Sequence, residues 1–170
     1  MTRNDPELAG RVCLALVAEG PTHGWAIASL LAPGTELGRV WSLSRPLTYR
    51  ALDGLLGEGL IDRVGIEPGA GRTRTVVAVT PAGERVLDHW LSAPVDLPRD
   101  VRTELLVKFA LRSRRGLSSA TLAAAQRERF APMLVTVDDP VDDLDIVERW
   151  RVEHLRAIDR FLLSVANGAT

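Results

Sequence analysis

The segment from Ile61 to Val79 constrains the fold most strongly, because its sequence favours β-structure. Apolar residues recur at Ile61, Val64 and Ile66, the pattern breaks at Pro-Gly-Ala-Gly, and a second apolar run follows in Thr-Val-Val-Ala-Val. Two such runs around a glycine-rich break predict a β-hairpin. The segments on either side have helical spacing, so the fold must place one hairpin among helices.

Two helices are predicted near the N-terminus. Asp5 is a suitable N-cap and Pro6 a suitable first residue for a helix that ends at the Gly-Pro pair 20–21. Thr22 is then predicted to cap a second, short helix that ends at Pro33-Gly34. The connection that follows leads into a third helical segment.

The third helix is predicted to be amphipathic and to begin near Arg45. Its apolar face contains Thr48, Ala51, Leu52, Leu55 and Leu56, and its opposite face contains Tyr49, Arg50 and Asp53. Gly59 is well placed as the residue that ends the helix, with Leu60 touching Leu55. Gly54 and Gly57 would lie inside the helix, where each costs about 1 kcal/mol relative to alanine. The sequence offers no reason for them beyond close packing against a neighbour.

The order of elements predicts the fold class. Thr80 and Pro81 begin a fourth helix after the hairpin, so about ninety residues contain three helices, a hairpin and a helix. This is the plan of a winged helix-turn-helix domain, in which the third helix enters the DNA major groove and the hairpin reaches the backbone. We therefore predict a mostly α protein with a small β-hairpin wing (α+β): a winged helix-turn-helix DNA-binding domain over 1–93 and a helical dimerisation region over 94–170.

The distribution of charge favours a nucleic-acid partner more than the net charge does. The formal net charge is only −1, yet three arginines and no acid occur between Arg39 and Arg50, and Arg72 and Arg74 flank the hairpin tip. Local basic patches bind phosphate even when the total charge is near zero. An arginine can also make a bidentate contact to guanine, worth about 1–3 kcal/mol of discrimination. Taken alone, the arginines of the third helix or those of the hairpin tip could simply be solvated surface charges, which is the alternative interpretation.

Four stretches resemble the PadR-like transcriptional regulators: GPTHGWAIASLL, LTYRALDGLLGEGLI, GRTRTVVAVTPAGERVL and LPRDVRTELLVKFAL. They cover roughly residues 7 to 113. The resemblance implies a homodimeric DNA-binding regulator, usually a repressor, whose C-terminal helices form the dimer and whose DNA affinity responds to a small molecule. The chain departs from the family at Pro46-Leu47-Thr48-Tyr49, where Gly-Thr-Leu-Tyr is common, so that the hydroxyl is displaced by one position.

The arginine distribution and the resemblance together define a predicted set of DNA-contacting residues. They are Thr22, His23, Ser42, Ser44, Arg45, Thr48, Tyr49, Arg50, Arg72, Thr73 and Arg74. In a two-fold dimer the two third helices would meet successive major grooves, so the predicted partner is double-stranded DNA with a palindromic operator. A winged-helix module for protein interaction or dimerisation, without specific DNA binding, is the alternative, because the fold alone does not dictate its ligand.

The C-terminal region is predicted to be helical and to dimerise. After an apolar segment from Val101 to Leu111, a helix is predicted from about Ala120 to Phe130, ended or kinked by Pro132. A last helix begins near Asp143 with a narrow apolar stripe: Val147, Trp150, Leu155, Ile158, Phe161, Leu162 and Val165. Three helices of about seventy residues form a poor core alone, so this stripe is predicted to meet a second copy. Packing within the chain is the alternative.

Other signals are weaker. Trp90 and Trp150 could line a pocket for a small apolar or aromatic effector, or could simply be core residues. The acidic run 138–145 lacks the glycine and final glutamate of an EF-hand loop, so we interpret it as a solvated linker. No phosphate loop, nucleophile elbow or metal-ligand spacing is present, which predicts neither an enzyme nor a cofactor or metal site. The polar N-terminus and the lack of a long apolar run predict a cytoplasmic protein without a membrane segment. Cys13 is predicted to be a buried thiol.

Overall fold

A computed structural model of the chain describes residues 6–69, 73–134 and 144–168, and only the backbone of Pro6. The chain divides between Ser92 and Ala93 into two compact units. Among the described helices, none combines the length and the apolar character needed to cross a membrane.

The first unit is a winged helix-turn-helix, so the predicted fold class is confirmed. Its elements are α1 (Pro6–Val17), β1 (Thr22–His23), α2 (Gly24–Leu30), α3 (Arg45–Gly57), β2 (Ile61–Glu67), β3 (Arg74–Val79) and α4 (Pro81–Ser92). The predicted hairpin pairs β2 with β3 antiparallel, with a register shift between Arg63 and Gly65. Its glycine-rich tip includes residues 70–72, which lie outside the described residues.

A short first strand, β1, was missing from the sequence prediction and changes how α2 begins. Thr22 and His23 pair with Val77 and Val76 of β3, which makes a three-stranded sheet in the order β1-β3-β2. The prediction that Thr22 caps α2 is therefore wrong. His23 is the N-cap, and its Nδ1 accepts a hydrogen bond from the backbone N–H of Ala26 at 3.1 Å. The predicted cap of α1, Asp5, lies outside the described residues.

The predicted end of α3 is confirmed in detail. Gly59 has a positive φ of 66°, its N–H donates to the carbonyl of Leu56, and the N–H of Leu60 donates to the carbonyl of Leu55. These two bonds form a Schellman ending, for which a residue without Cβ is favoured. The turn also brings Leu60 to α4, where a Cβ on Gly83 would lie only 2.1 Å from the Leu60 carbonyl oxygen. Glycine at 83 therefore permits the wing and α4 to pack closely.

The first unit packs around α1 and α3. Val12 and Leu14 of α1 and Leu52 and Leu55 of α3 are buried. Cys13 is also buried, as predicted, and burial raises the pKa of its thiol to about 12. An un-ionised thiol is a poor nucleophile, so this cysteine contributes packing rather than reactivity.

The second unit is helical throughout its described part. It contains α5 (Pro98–Asp100), a π-helical turn (Val101–Leu105), α6 (Leu106–Arg114), α7 (Ala120–Leu134) and α8 (Ile146–Ala166). The sequence predicts that Pro132 ends or kinks the helix near Phe130. Pro132 does not end it, because α7 continues through this residue to Leu134. The start predicted near Asp143 lies outside the described residues, and α8 begins after Asp145, whose carboxylate accepts from the N–H groups of Val147 and Glu148. These bonds hold the pKa of Asp145 below its ordinary value.

Part of the predicted dimer stripe packs within the second unit. Ile158 and Leu162 are buried among apolar residues of this unit, and the half-buried Val165 packs against the same cluster. The structure thus gives these three side chains a packing role within the unit, and their predicted part in a dimer stays a prediction. Leu155 is half-buried. The members of the stripe that remain exposed are Val147, Trp150 and Phe161.

Polar side chains attach the first residues of the second unit to its helices. The buried Gln126 side chain bridges Val95, accepting from its N–H at 2.7 Å and donating to its carbonyl at 2.9 Å. The buried Lys108 ammonium donates to the Ala93 carbonyl at 2.9 Å and pairs with Glu104 at 2.8 Å. Burial lowers the pKa of Lys108, an effect that the hydrogen bond and charge of Glu104 oppose. These contacts satisfy backbone groups that no helix pairs.

Candidate nucleic-acid interface

The N-terminal half of α3 presents two arginines and a tyrosine to solvent. Arg45 is its first residue, and Tyr49 and Arg50 follow one turn later; all three are exposed. Ser44 precedes the helix with an extended backbone, and its hydroxyl makes no capping bond. The N–H groups and the positive end of the helix dipole lie at the same place, which favours an anion there. Within the part of the chain that is described, neither arginine forms an ion pair.

Tyr49 is positioned by a glycine in α2. A Cβ placed on Gly24 would lie 2.8 Å from Cε1 of Tyr49 and 3.1 Å from Cδ1 of Leu52. Gly24 therefore leaves room for the tyrosine ring to lie against the first turn of α2. The ring remains 45% exposed, so it can still contact a ligand.

Thr48 lies on the inner face of α3, away from this exposed surface, so the structure gives no support to its predicted DNA contact. Its side chain is fully buried, and its Oγ1 donates to the Ser44 carbonyl at 3.1 Å. The displaced hydroxyl of the Pro-Leu-Thr-Tyr stretch falls on the inner face of α3, where packing and a local hydrogen bond engage it. Ser42, also predicted, is half-buried in the segment before the helix.

The base of the wing holds Arg74 against an aromatic ring that the sequence interpretation missed. The Arg74 guanidinium lies over the Trp25 ring, 4.8 Å from its centroid, within the range of a cation–π contact. Trp25 is 44% exposed, and Arg74 is half-buried. Thr73 is exposed beside Arg74, and Arg72 lies outside the described residues. The sequence contained only the position of this tryptophan, directly after His-Gly at the start of α2; its exposure and its contact with Arg74 are visible only in the structure.

One ring nitrogen of His23 accepts a hydrogen bond within the first unit, and the other faces side chains of the wing. Because Nδ1 accepts from Ala26, the neutral ring carries its proton on Nε2, which lies 3.8 Å from a Glu67 carboxylate oxygen and 3.4 Å from Nη1 of Arg74. His23 therefore acts first as the cap of α2 and as a link to the wing. Thr22 is half-buried and lies in β1, beside the same cluster.

The two tryptophans of the predicted effector pocket lie in different units. Trp90 is half-buried in α4 of the first unit. Trp150 is 67% exposed on α8 of the second unit and stacks on His154, with ring centroids 5.5 Å apart. A pocket formed by both residues stays a prediction. Among the described residues, no cluster of His, Cys, Asp or Glu could hold a metal ion.

Comparison with known proteins finds similarity among solved structures. No protein-family model and no curated protein match the sequence. Bacillus subtilis PadR in complex with operator DNA is 20% identical, with 93% of this chain and 95% of that one covered and a TM-score of 0.48. The same protein with p-coumaric acid is 22% identical, with coverages of 94% and 97% and a TM-score of 0.45. Streptococcus mutans UA159 smu.1604c is 16% identical, with coverages of 94% and 97% and a TM-score of 0.44.

These similar structures thus include proteins of the family that the sequence motifs resemble. At such identities, and with TM-scores below 0.5, the ligands of those proteins are not thereby assigned to this chain.

Proposed function

We propose that the chain is a sequence-specific DNA-binding transcriptional regulator that places α3 in the major groove. The observation that supports this most is the exposed pair Arg45 and Arg50, which flank Tyr49 at the N-terminal half of the second helix of a helix-turn-helix. In this fold the N-terminal residues of that helix are the ones that contact base edges. Two arginines without ion-pair partners in the described chain are free to do so.

The contacts divide by chemistry. Arg45 and Arg50 are proposed to read guanines through bidentate hydrogen bonds, while Ser44 and the helix N-terminus position a phosphate. Arg74 and Thr73 are proposed to reach the backbone from the wing. Trp25 limits the motion of the Arg74 guanidinium, which lowers the entropy lost when it binds.

We further propose that the regulator acts as a homodimeric repressor in the cytoplasm, on a palindromic operator that overlaps a promoter. Val147, Trp150 and Phe161 leave an apolar strip exposed along α8, and Ile146, 80% exposed, extends it. Burying such a strip against its copy would remove the apolar surface from water. A two-fold pair would present two α3 helices to half-sites one helical turn apart.

The test is a titration of labelled DNA from upstream of the chain's own gene, at several salt concentrations. The double variant Arg45→Ala, Arg50→Ala should bind at least about tenfold more weakly, since each lost base contact costs about 1–3 kcal/mol. The slope of the logarithm of DNA affinity against the logarithm of salt concentration should also become shallower, by about 0.9 for each phosphate contact that the variant loses.

The control is a double variant with the same change in net charge, Arg85→Ala, Arg99→Ala, whose side chains are exposed on α4 and α5. It should bind DNA like the wild type apart from a small general effect of charge. If the wild type and both variants bind equally and without salt dependence, the recognition surface is refuted. The winged-helix interaction module would then be the better description.

A further inference from the structure

Two side chains at the base of the wing bring hydrogen-bond donors to one place. His23 ends β1, and Arg74 begins the neighbouring strand β3. Nε2 of His23 and Nη1 of Arg74 lie 3.4 Å apart. Nε2 carries the proton of the neutral ring, because Nδ1 accepts from the N–H of Ala26. Both nitrogens are therefore donors, and neither accepts a hydrogen bond from the other.

Within the described part of the chain, these two donors share no acceptor. Oε2 of Glu67 lies 3.8 Å from Nε2 of His23, which is beyond hydrogen-bond distance. Glu67 is directly opposite Arg74 in the hairpin, where opposite charges ordinarily pair. Arg74 nevertheless forms no ion pair with a described residue, and its guanidinium lies over the Trp25 ring instead. The positive charge of Arg74 is thus held in place without being neutralised.

The members of this cluster differ in their freedom to move. The His23 side chain is only 12% exposed, and its ring is fixed by the hydrogen bond from Ala26. The Glu67 side chain is 57% exposed, and no hydrogen bond from a described residue restrains it. A ligand that approaches the two donors can therefore displace the Glu67 carboxylate while the donors stay in place.

The geometry indicates which ligand fits. An oxygen atom can lie about 2.9 Å from two nitrogens that are 3.4 Å apart, so one small anionic group can accept from both. In a helix-turn-helix the first helix of the motif crosses the sugar-phosphate backbone, and His23 caps that helix, α2. The oxygen best placed to reach this cluster is therefore a phosphate oxygen.

We propose that His23 and Arg74 form a clamp for one phosphate oxygen of the DNA backbone, and that the Glu67 carboxylate competes with DNA for this clamp. Nε2–H of His23 and the Arg74 guanidinium both donate to the phosphate, while the Trp25 ring keeps the guanidinium in position. The negative charge of Glu67 opposes the phosphate, so the carboxylate must move away before the clamp closes. That the phosphate belongs to an operator rests on the proposed function, whereas the anion site itself does not.

Three single variants of the full-length protein separate the members of the clamp in the DNA titration described above. His23→Asn keeps an oxygen that caps α2 and loses the Nε2 donor, so DNA affinity should fall about tenfold with an unchanged salt slope. Arg74→Gln should lower the affinity and also make the salt slope shallower by about 0.9, because one phosphate is no longer neutralised. Glu67→Gln should raise the affinity about fivefold, since it removes a negative charge close to the phosphate.

Asp62→Asn is the matched control for Glu67→Gln. Asp62 is exposed on the same strand and pairs with Ala78, four residues along β3 from Arg74 and hence about 13 Å away. It loses the same charge, so it measures the general effect of net charge on DNA affinity. Equal gains in Asp62→Asn and Glu67→Gln would overturn the proposed competition.

Thermal unfolding distinguishes the clamp from a purely structural cluster. Each variant should unfold close to the wild-type temperature, and His23→Ser, which also keeps a capping oxygen, replaces His23→Asn if that variant does not fold. If Glu67→Gln loses stability and gains no DNA affinity, the proposal is overturned, because the carboxylate then only stabilises the base of the wing.

A methylphosphonate scan of the bound DNA locates the phosphate. Each substitution replaces one charged phosphate oxygen by a methyl group. At one position it should weaken binding of the wild type about tenfold and leave His23→Asn and Arg74→Gln nearly unchanged, because these variants already lack the contact. If no position distinguishes the wild type from both variants, the clamp is refuted although DNA binding itself stands.

Inorganic phosphate tests the anion site without DNA. At constant pH and ionic strength, phosphate should shift the ¹⁵N resonance of His23 Nε2 in the wild type, at lower concentration in Glu67→Gln, and not in Arg74→Gln. If no DNA binds, the proposed function fails, and this shift decides the clamp alone. Its absence from Glu67→Gln would then overturn the clamp as well.

Discussion

Thr48 lies on the inner face of α3, and its neighbours Tyr49 and Arg50 lie on the outer face. A difference of one position rotates a helical side chain by about 100°, enough to move a hydroxyl from the proposed DNA surface into the core. The fully buried Thr48 side chain and its bond to the Ser44 carbonyl follow from that rotation. At the scale of single residues, the position on the helix outweighs the chemical suitability of the side chain.

Thr48→Val tests this assignment. Valine has the same shape without the hydroxyl, so the variant should lose one buried hydrogen bond and about 1 kcal/mol of the free energy of unfolding. DNA affinity, measured well below the unfolding temperature, should equal that of the wild type. Arg50→Ala is the matched comparison, with weaker DNA binding and near-wild-type stability. If Thr48→Val instead loses DNA affinity without losing stability, the Thr48 hydroxyl contacts DNA and this assignment is wrong.

At the scale of elements, side chains of α6 and α7 secure a segment that has no regular structure of its own. Gln126 pairs both backbone groups of Val95, and Lys108 binds the Ala93 carbonyl. A buried amide that completes a backbone pair in this way specifies one path for the chain, because any other path leaves polar groups unpaired. The residues that follow α4 therefore have a definite course on the second unit.

Gln126→Leu should destabilise the protein markedly. It leaves a buried N–H and a buried carbonyl of Val95 without partners, at about 1–3 kcal/mol for each group. We expect a loss of about 2–4 kcal/mol in the free energy of unfolding, measured by urea denaturation. Arg129→Ala is the control, because its bond to Asp96 joins two exposed side chains and should contribute less than about 1 kcal/mol. Similar losses in both variants would show that the buried Gln126–Val95 hydrogen bonds stabilise the fold no more than the exposed Arg129–Asp96 ion pair does.

At the scale of the whole molecule, α8 has two apolar surfaces. Ile158 and Leu162 face the core of the second unit, and Trp150 faces solvent. Phe161 is 38% exposed, and its ring lies edge-on against Phe109 at a centroid distance of 6.1 Å. Trp150 and Phe161 are eleven residues apart and hence within about 20° of each other around the helix. This strip is the surface through which we propose that two copies associate, and the described residues of the second unit cover it only in part.

Trp150→Ser should weaken self-association without unfolding the chain. Buried aromatic residues at the centre of interfaces commonly contribute about 2 kcal/mol or more, so the dissociation constant should rise about thirtyfold in sedimentation velocity. Leu163→Ser is the control on the same helix, since Leu163 is exposed but lies about 200° from Phe161. If both variants sediment as the wild type does, the strip is not the dimer surface.

The sequence by itself determined the order of the helices and the hairpin in the first unit, the Schellman ending at Gly59 and the amphipathic character of α3 and α8, because these depend on residues within a few positions of one another. Tertiary structure decided which side of each amphipathic helix is covered. It buried Thr48, Ile158 and Leu162, placed Arg74 over Trp25, and set Nε2 of His23 beside the Arg74 guanidinium. Helical spacing defines a face but not its neighbour, and only packing between distant segments determines whether that face meets the core, solvent or a ligand.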